Sequence, residues 1–119
     1  MTKPTHTKPA KRRRVKRLPT TARGTWQHVT FRVRHTPNYI ISRTDHLELI
    51  VISPKREPLP ITNTGYLSHF VVDRSVRDAK AALAFFLAWI DREARTKAWQ
   101  KADLKRRQLD LFRYYQIQA

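Results

Sequence analysis

The sequence predicts an α+β domain, in which a three- or four-stranded antiparallel sheet packs against one long C-terminal helix. Apolar and β-branched residues alternate with period two over residues 26–36, and an apolar run follows at 47–52. From residue 75 to about residue 107 there is neither Pro nor Gly, and apolar residues recur at three- and four-residue spacing. A chain of 119 residues accommodates one such domain.

The first predicted strand spans residues 26–36. Trp26, Arg32 and Arg34 fall on one face of it, and Phe31 and Val33 fall on the other. If the polar face is exposed, its aromatic ring and guanidinium groups are candidates for stacking on RNA or single-stranded DNA. An ordinary solvated face is the alternative interpretation.

Short turns separate the next predicted elements. The Pro-Asn pair at 37–38 predicts a turn, residues 39–42 a second strand, and the Thr-Asp pair at 44–45 another turn. Residues 47–52 then form a richly apolar third strand. Because the connections are short, an antiparallel meander is the simplest topology. Three prolines predict a loop at 53–60. The sheet has four strands if a further short strand forms near Ile61 or Tyr66, and three if it does not.

The predicted helix begins near Ser75, with Asp78 three residues on in a capping arrangement, or with Asp73 as the alternative cap. Its first half is apolar enough to pack on the sheet. Its second half is basic, and we expect it to project from the body and to contact nucleic acid. The residues in question are Lys97, Lys101, Lys105, Arg106 and Arg107.

Charge separates the first 23 residues from the rest. They contain nine basic residues, no acid, three prolines and almost no large apolar side chain. Such a segment cannot offset the entropy of ordering by burial, so we expect 1–23 to be a disordered basic arm, 24–107 a single domain and 108–119 a tail. A solubilising tail is the alternative role for the arm. Its candidate phosphate contacts are Lys11, Arg12, Arg13, Arg14, Lys16 and Arg17.

Composition excludes several functional classes. The net charge of +16 and the isoelectric point near 11.3 indicate a polyanionic partner, most simply DNA. There is no cysteine for a disulfide, a zinc thiolate or a Cys nucleophile, and two glycines do not make a phosphate-binding loop. No apolar run approaches the ~18 residues of a membrane span, and the N-terminus lacks the apolar core of a secretory signal. We therefore expect a cytoplasmic protein with no membrane partner, cofactor or small-molecule substrate.

Catalytic and metal sites are not evident. The five histidines do not fall in a metal-ligand spacing. Asp45, His46 and Glu48 form a local cluster that a small metal-dependent nuclease could use, but on a strand only His46 and Glu48 share a face. We therefore expect no enzyme, no metal and no catalytic residue, with the nuclease as the lesser alternative.

Residues 108–112 carry the most specific motif. Gln108, Leu109, Asp110, Leu111 and Phe112 match in full the bacterial sliding-clamp-binding consensus Gln-Leu-(Ser or Asp)-Leu-Phe. The resemblance implies that Gln108 hydrogen-bonds at the edge of a pocket on the clamp. Leu111 and Phe112 then insert into its apolar subsite, with Leu109 as a secondary contact.

Two other interpretations of the same segment remain open. Gln108, Leu111, Tyr114 and Tyr115 also resemble the eukaryotic and archaeal clamp pattern, in which Leu111 and the two tyrosines form the plug. Alternatively, Leu104, Leu111 and Tyr115 continue a helical stripe that folds back as core, which leaves a plain DNA- or RNA-binding or regulatory module.

A broader resemblance supplies context. Residues 64–70 (TGYLSHF), 91–94 (DREA) and 97–100 (KAWQ) are similar to small proteins of proteobacterial plasmids and integrative elements. That resemblance implies a mobile-element setting and favours the bacterial clamp. The sequence as a whole thus predicts a non-enzymatic, nucleic-acid-associated accessory protein, which binds DNA by its arm and helix and the replicative clamp by its C-terminal peptide.

Overall fold

The computed structural model describes residues 18–40 and 43–118. Four antiparallel strands form one sheet in chain order: β1 (Thr20–Trp26), β2 (Val29–Thr36), β3 (Thr44–Ser53) and β4 (Tyr66–Val72). Two helices follow, α1 (Ala79–Ala94) and α2 (Lys97–Gln118). The α+β class and the antiparallel meander are confirmed.

The pleat gives the sheet two unlike faces. The face towards α1 is apolar and includes Phe31, Val33, Leu47 and Leu49, all completely buried. The opposite face, here called the open face, has no helix over it among the described residues. Its side chains are polar or charged on β1 and β2, and include Tyr66 and Phe70 on β4. The sheet is therefore a platform with one side packed and one side available.

Helix α1 closes the core. Ala82, Phe86 and Ile90 recur at four-residue intervals and are completely buried against the sheet. Gly24 on β1 favours close approach of the helix, since a Cβ there would press on the Leu83 side chain and the Phe31 ring. The sheet therefore packs against the first helix, whereas the long C-terminal helix lies beyond it.

Side-chain caps set the start of α1. The Asp78 carboxylate accepts the Ala81 N–H at 2.8 Å, and the Thr20 hydroxyl accepts the Ala79 N–H at 2.9 Å. The helix therefore begins at Ala79, four residues after the predicted start, and Asp78 serves as the cap instead of Ser75 or Asp73.

Thr96 divides the predicted single helix in two. Its hydroxyl donates to the Glu93 carbonyl at 2.8 Å and accepts the Trp99 N–H at 3.2 Å, so one side chain ends α1 and caps α2. No Pro or Gly marks the junction, which is why the pattern predicted one element.

The strand boundaries correct four expectations. A hairpin turn at Gln27, with φ 54°, and His28 divides the predicted strand 26–36 into β1 and β2, and β1 begins at Thr20, within the segment assigned to the arm. Residues 44–45 belong to β3 and are not a turn. The second strand predicted at 39–42 is not formed at 39–40, and residues 41–42 lie outside the described residues. The fourth strand starts at Tyr66.

Candidate functional site

The residues predicted to contact phosphate lie in three places. Lys11, Arg12, Arg13, Arg14, Lys16 and Arg17 lie outside the described residues. The described chain begins beside the open face, where Leu18, Pro19 and Thr21 border the same cleft as Arg32 and Arg34. The sequence that precedes Leu18 is thus attached next to two guanidinium groups of the sheet.

Three lysines form a row along α2. Lys97, Lys101 and Lys105 are exposed and four residues apart, so they follow one side of the helix at steps of about 6 Å. Among the described residues no carboxylate lies within ion-pair distance of any of them. We call these residues the lysine row.

Arg106 and Arg107 differ from the lysine row. Both guanidinium groups pair with the Asp103 carboxylate, Arg107 at 3.1 Å. Arg106 also lies over the Trp99 ring, 5.6 Å from its centroid, and 3.9 Å from Glu57. Arg106 therefore holds α2 to the body, and its charge is largely engaged within the protein.

Trp99 fixes the start of α2 on the β1–β2 hairpin. Its ring meets the Trp26 ring edge-on, with centroids 6.2 Å apart. Trp26 thus lies on the helix side of the sheet and not with Arg32 and Arg34, so the predicted stacking trio is wrong. The hairpin turn between Trp26 and Val29 is the cause, because it reverses the chain within the supposed single strand.

From residue 107 to residue 117 every residue of α2 is exposed. The clamp-like residues lie here, and Leu109, Leu111 and Phe112 are between 48 and 60 % exposed. The fold-back interpretation is not observed, since Leu104, Leu111 and Tyr115 are at least 54 % exposed. The segment is a free helix with large apolar side chains, and Gln108 is exposed with them.

The cluster suggested for a nuclease is split by the sheet. Asp45 points to the helix side, where its Oδ2 lies 2.8 Å from His35 Nε2. His46 points to the open face, with Nε2 2.6 Å from the Ser68 hydroxyl, and Glu48 shares that face. Within residues 18–40 and 43–118, no group of three His, Asp or Glu side chains is arranged to hold a metal ion.

Aromatic side chains gather on the open face. Tyr39, His46 and Phe70 form a three-ring cluster, with His46 4.6 Å from Tyr39 and 4.8 Å from Phe70 between centroids. The Tyr39 and Phe70 rings are about half exposed, at 49 and 48 %. Tyr66 lies four residues before Phe70, at the start of β4. It borders a small cleft with Arg32 and Arg34. Sequence reasoning missed these rings, because Tyr39 comes from a turn and reaches the face only through the β2–β3 connection.

Tyr66 and Glu48 form a polar pair at the edge of that cleft. The Tyr66 hydroxyl donates to Oε2 of Glu48 at 2.7 Å. This hydrogen bond, with burial and the carboxylate charge as smaller causes, raises the pKa of Tyr66 above its ordinary value. The phenol is therefore held in its neutral, donating form.

Comparison with known protein families matches residues 19–99 to the KlcB third domain. The chain belongs to the KlcB third-domain family. KlcB is a plasmid-associated protein family. No curated protein and no solved structure matches the chain.

The KlcB third-domain match covers the whole sheet and α1 and ends at Trp99. The free part of α2 and the clamp-like residues 108–112 lie beyond it, as does the densest part of the basic arm. In the described part of this KlcB-family chain, neither helix is long and apolar enough to cross a membrane.

Proposed function

We propose that the protein is a non-enzymatic accessory protein that binds nucleic acid, most simply DNA, and recruits the replicative sliding clamp. The observation that carries the proposal lies on α2, where an unengaged lysine row in the first half leads into an exposed apolar motif on the free half. The first feature suits a polyanion and the second suits a pocket on another protein.

The nucleic-acid contacts come from the arm and the lysine row. Flexible Lys and Arg side chains displace condensed counterions from phosphates without recognising bases. If about six of them are engaged, log K should fall with log salt concentration at a slope of roughly −5. Arg107 is a weaker contributor because Asp103 neutralises part of its charge.

Duplex binding tests this part. Lys97→Gln, Lys101→Gln and Lys105→Gln together should flatten the salt slope by about 2 to 3 units, because each phosphate contact contributes close to one. A matched triple variant, Lys55→Gln, Arg56→Gln and Lys80→Gln, removes three exposed charges elsewhere and should change the slope far less. Equal slopes for the two variants would remove the lysine row from the proposal.

The clamp contact comes from Gln108, Leu111 and Phe112, with Leu109 in support. Large apolar side chains on a free helix expose surface that a pocket would remove from water, and a few such anchors supply most of the affinity of a peptide. Tyr114 and Tyr115 belong to the alternative eukaryotic and archaeal pattern, so the type of clamp that binds discriminates the two motifs.

Capture of a purified bacterial sliding clamp tests the second part. The wild-type protein should retain it, and the Gln108→Ala, Leu111→Ala and Phe112→Ala variant should not, while duplex binding is unchanged. A control with Leu104→Ala, Tyr114→Ala and Ile117→Ala removes similar exposed area from the same helix outside the motif and should retain the clamp. Clamp capture by the first variant, or none by the wild type, contradicts the proposal.

A further inference from the structure

The open face of the sheet combines features that folding alone does not account for. Arg23 on β1 and Arg32 on β2 are directly opposed in the register and lie on the same face. Like charges in a directly opposed cross-strand pair destabilise a sheet. An anion bound between them would turn that cost into a favourable interaction.

Arg34 adds a third unengaged guanidinium. Its register partner on β3 is Glu48, but the Glu48 carboxylate accepts the Tyr66 hydroxyl instead. Among the described residues, no carboxylate is within ion-pair distance of Arg23, Arg32 or Arg34. The β1–β2 half of the open face is therefore positively charged.

The β3–β4 half of the same face is aromatic. Tyr39 and Phe70 leave about half of their rings exposed, and Tyr66 leaves 44 %. His46 lies between the first two rings and hydrogen-bonds Ser68, which holds the cluster in place. Rigid, half-exposed rings beside guanidinium groups are the combination that stacks bases and holds phosphates.

We propose that the open face binds single-stranded nucleic acid. The strand crosses the sheet, with its phosphates over Arg23, Arg32 and Arg34 and its bases stacked on Tyr39, Tyr66 and Phe70. The proposal shares only its class of ligand with the proposed function, because the lysine row and the clamp motif lie on α2.

Charge and geometry favour this occupant over two others. A second copy of the chain, packed face to face, would bring together two chains that each carry a net charge of +16. A duplex keeps its bases stacked inside, out of reach of rings on a flat sheet. Both remain measurable outcomes of the test below.

Fluorescence anisotropy with two labelled probes tests the proposal in the full chain. One probe is a single strand of about twelve nucleotides and the other is a duplex of the same sequence. Tyr39→Leu with Phe70→Leu removes the ring faces but keeps apolar side chains. This variant should bind the single strand about tenfold or more weakly and the duplex as the wild type does.

Tyr114→Leu with Tyr115→Leu is the matched control, because it removes two exposed rings from α2. It should leave both affinities unchanged. If the lysine-row variant binds both probes as the wild type does, only the proposed function is contradicted. Weaker binding of the single strand alone, by the Tyr39 and Phe70 variant, reports the open face. Equal weakening of both probes by the Tyr39 and Phe70 changes would overturn the proposal, and so would no weakening.

Two further measurements guard against a misfolded variant. Arg32→Gln with Arg34→Gln leaves the rings in place and should lower the salt slope for the single strand by about 1.4. A single strand containing a photoreactive uridine should cross-link to Tyr39, Tyr66 or Phe70 in the wild-type protein. Cross-links confined to the arm or α2, or a dimer whose formation depends on Phe70, would contradict the proposal.

Discussion

His35 and Asp45 are joined across β2 and β3 inside the core, with His35 Nε2 2.8 Å from Oδ2 of Asp45. Their side chains are only 3 and 4 % exposed. The other carboxylate oxygen accepts the Asn38 N–H at 2.9 Å. This polar pair thus fixes the connection between β2 and β3 from within the core.

Removal of either partner should be costly because it leaves the other buried and unpaired. We expect His35→Ala and Asp45→Ala each to lower the free energy of unfolding by about 2–4 kcal/mol. In a double-mutant cycle, measured by urea denaturation, the two changes should be non-additive by about 1–3 kcal/mol. His28→Ala, which breaks an exposed pair with Glu57, is the control and should cost less than about 1 kcal/mol. Strict additivity would show that the two residues act separately.

Gly65 precedes β4 in a conformation that side chains disfavour. Its φ is 82°, and a Cβ there would lie 2.9 Å from the Arg56 backbone. Gly65→Ala should therefore lower the free energy of unfolding by roughly 1–3 kcal/mol. Asn63→Ala, at an exposed neighbouring position, should change thermal stability little. A stability equal to that of the wild type would mean that the 54–65 loop adapts without cost.

Tyr66 should couple stability to alkaline pH. Its folded pKa is raised, chiefly by the hydrogen bond to Glu48, so its contribution is complete below the pKa of the unfolded phenol, about 10. The contribution is lost as the pH rises through the folded value. Absorbance titration of tyrosinate should show one phenol that titrates above the ordinary range and is missing in Tyr66→Phe. In Glu48→Gln, which lacks the carboxylate charge, that phenol should return towards the ordinary value. No change in Glu48→Gln would assign the shift to another cause.

Trp99 should determine whether α2 stays on the body. Trp99→Ala removes the edge-on contact with Trp26 and the ring beneath Arg106. We expect a loss of about 1–2 kcal/mol and faster hydrogen exchange at the amides of residues 100–106, with α1 protected as before. Leu104→Ala, on the exposed side of the same turns, should leave exchange unchanged. Unaltered exchange in Trp99→Ala would show that other contacts hold α2.

The fold class could be predicted because it depends on hydrophobic periodicity, which indicates a sheet or a helix even where the boundaries of an element are misplaced. Alternation over β2 and the apolar run in β3 were enough for an antiparallel sheet. The three- and four-residue recurrence of Ala79, Leu83 and Phe86 was enough for a helix. The hairpin was missed because Gln27 and His28 lack the Asn-Gly signal of two-residue turns. The two-helix division was missed because a threonine hydroxyl makes it, with no helix-breaking residue.

One of the candidate sites could be predicted from the sequence and the other could not. Exposure of the motif at 108–112 follows from a helix that extends past its last contact with the body, near Arg106. The ring cluster on the open face could not be predicted, because Tyr39, His46 and Phe70 meet only through the register of β3 with β4 and the return of the β2–β3 connection. Such convergence is a property of topology, and no local spacing encodes it.

The hydrogen bond from the Ala79 N–H to the Thr20 hydroxyl has a mechanical consequence. Thr20 is the first residue of β1, three positions after the basic run at 11–17, and Ala79 is the first residue of α1. Tension applied through the arm therefore reaches two elements at once, the backbone ladder to β2 and the first turn of α1. Peeling β1 from the sheet requires the helix cap to break as well, so the point where the arm pulls is reinforced against load.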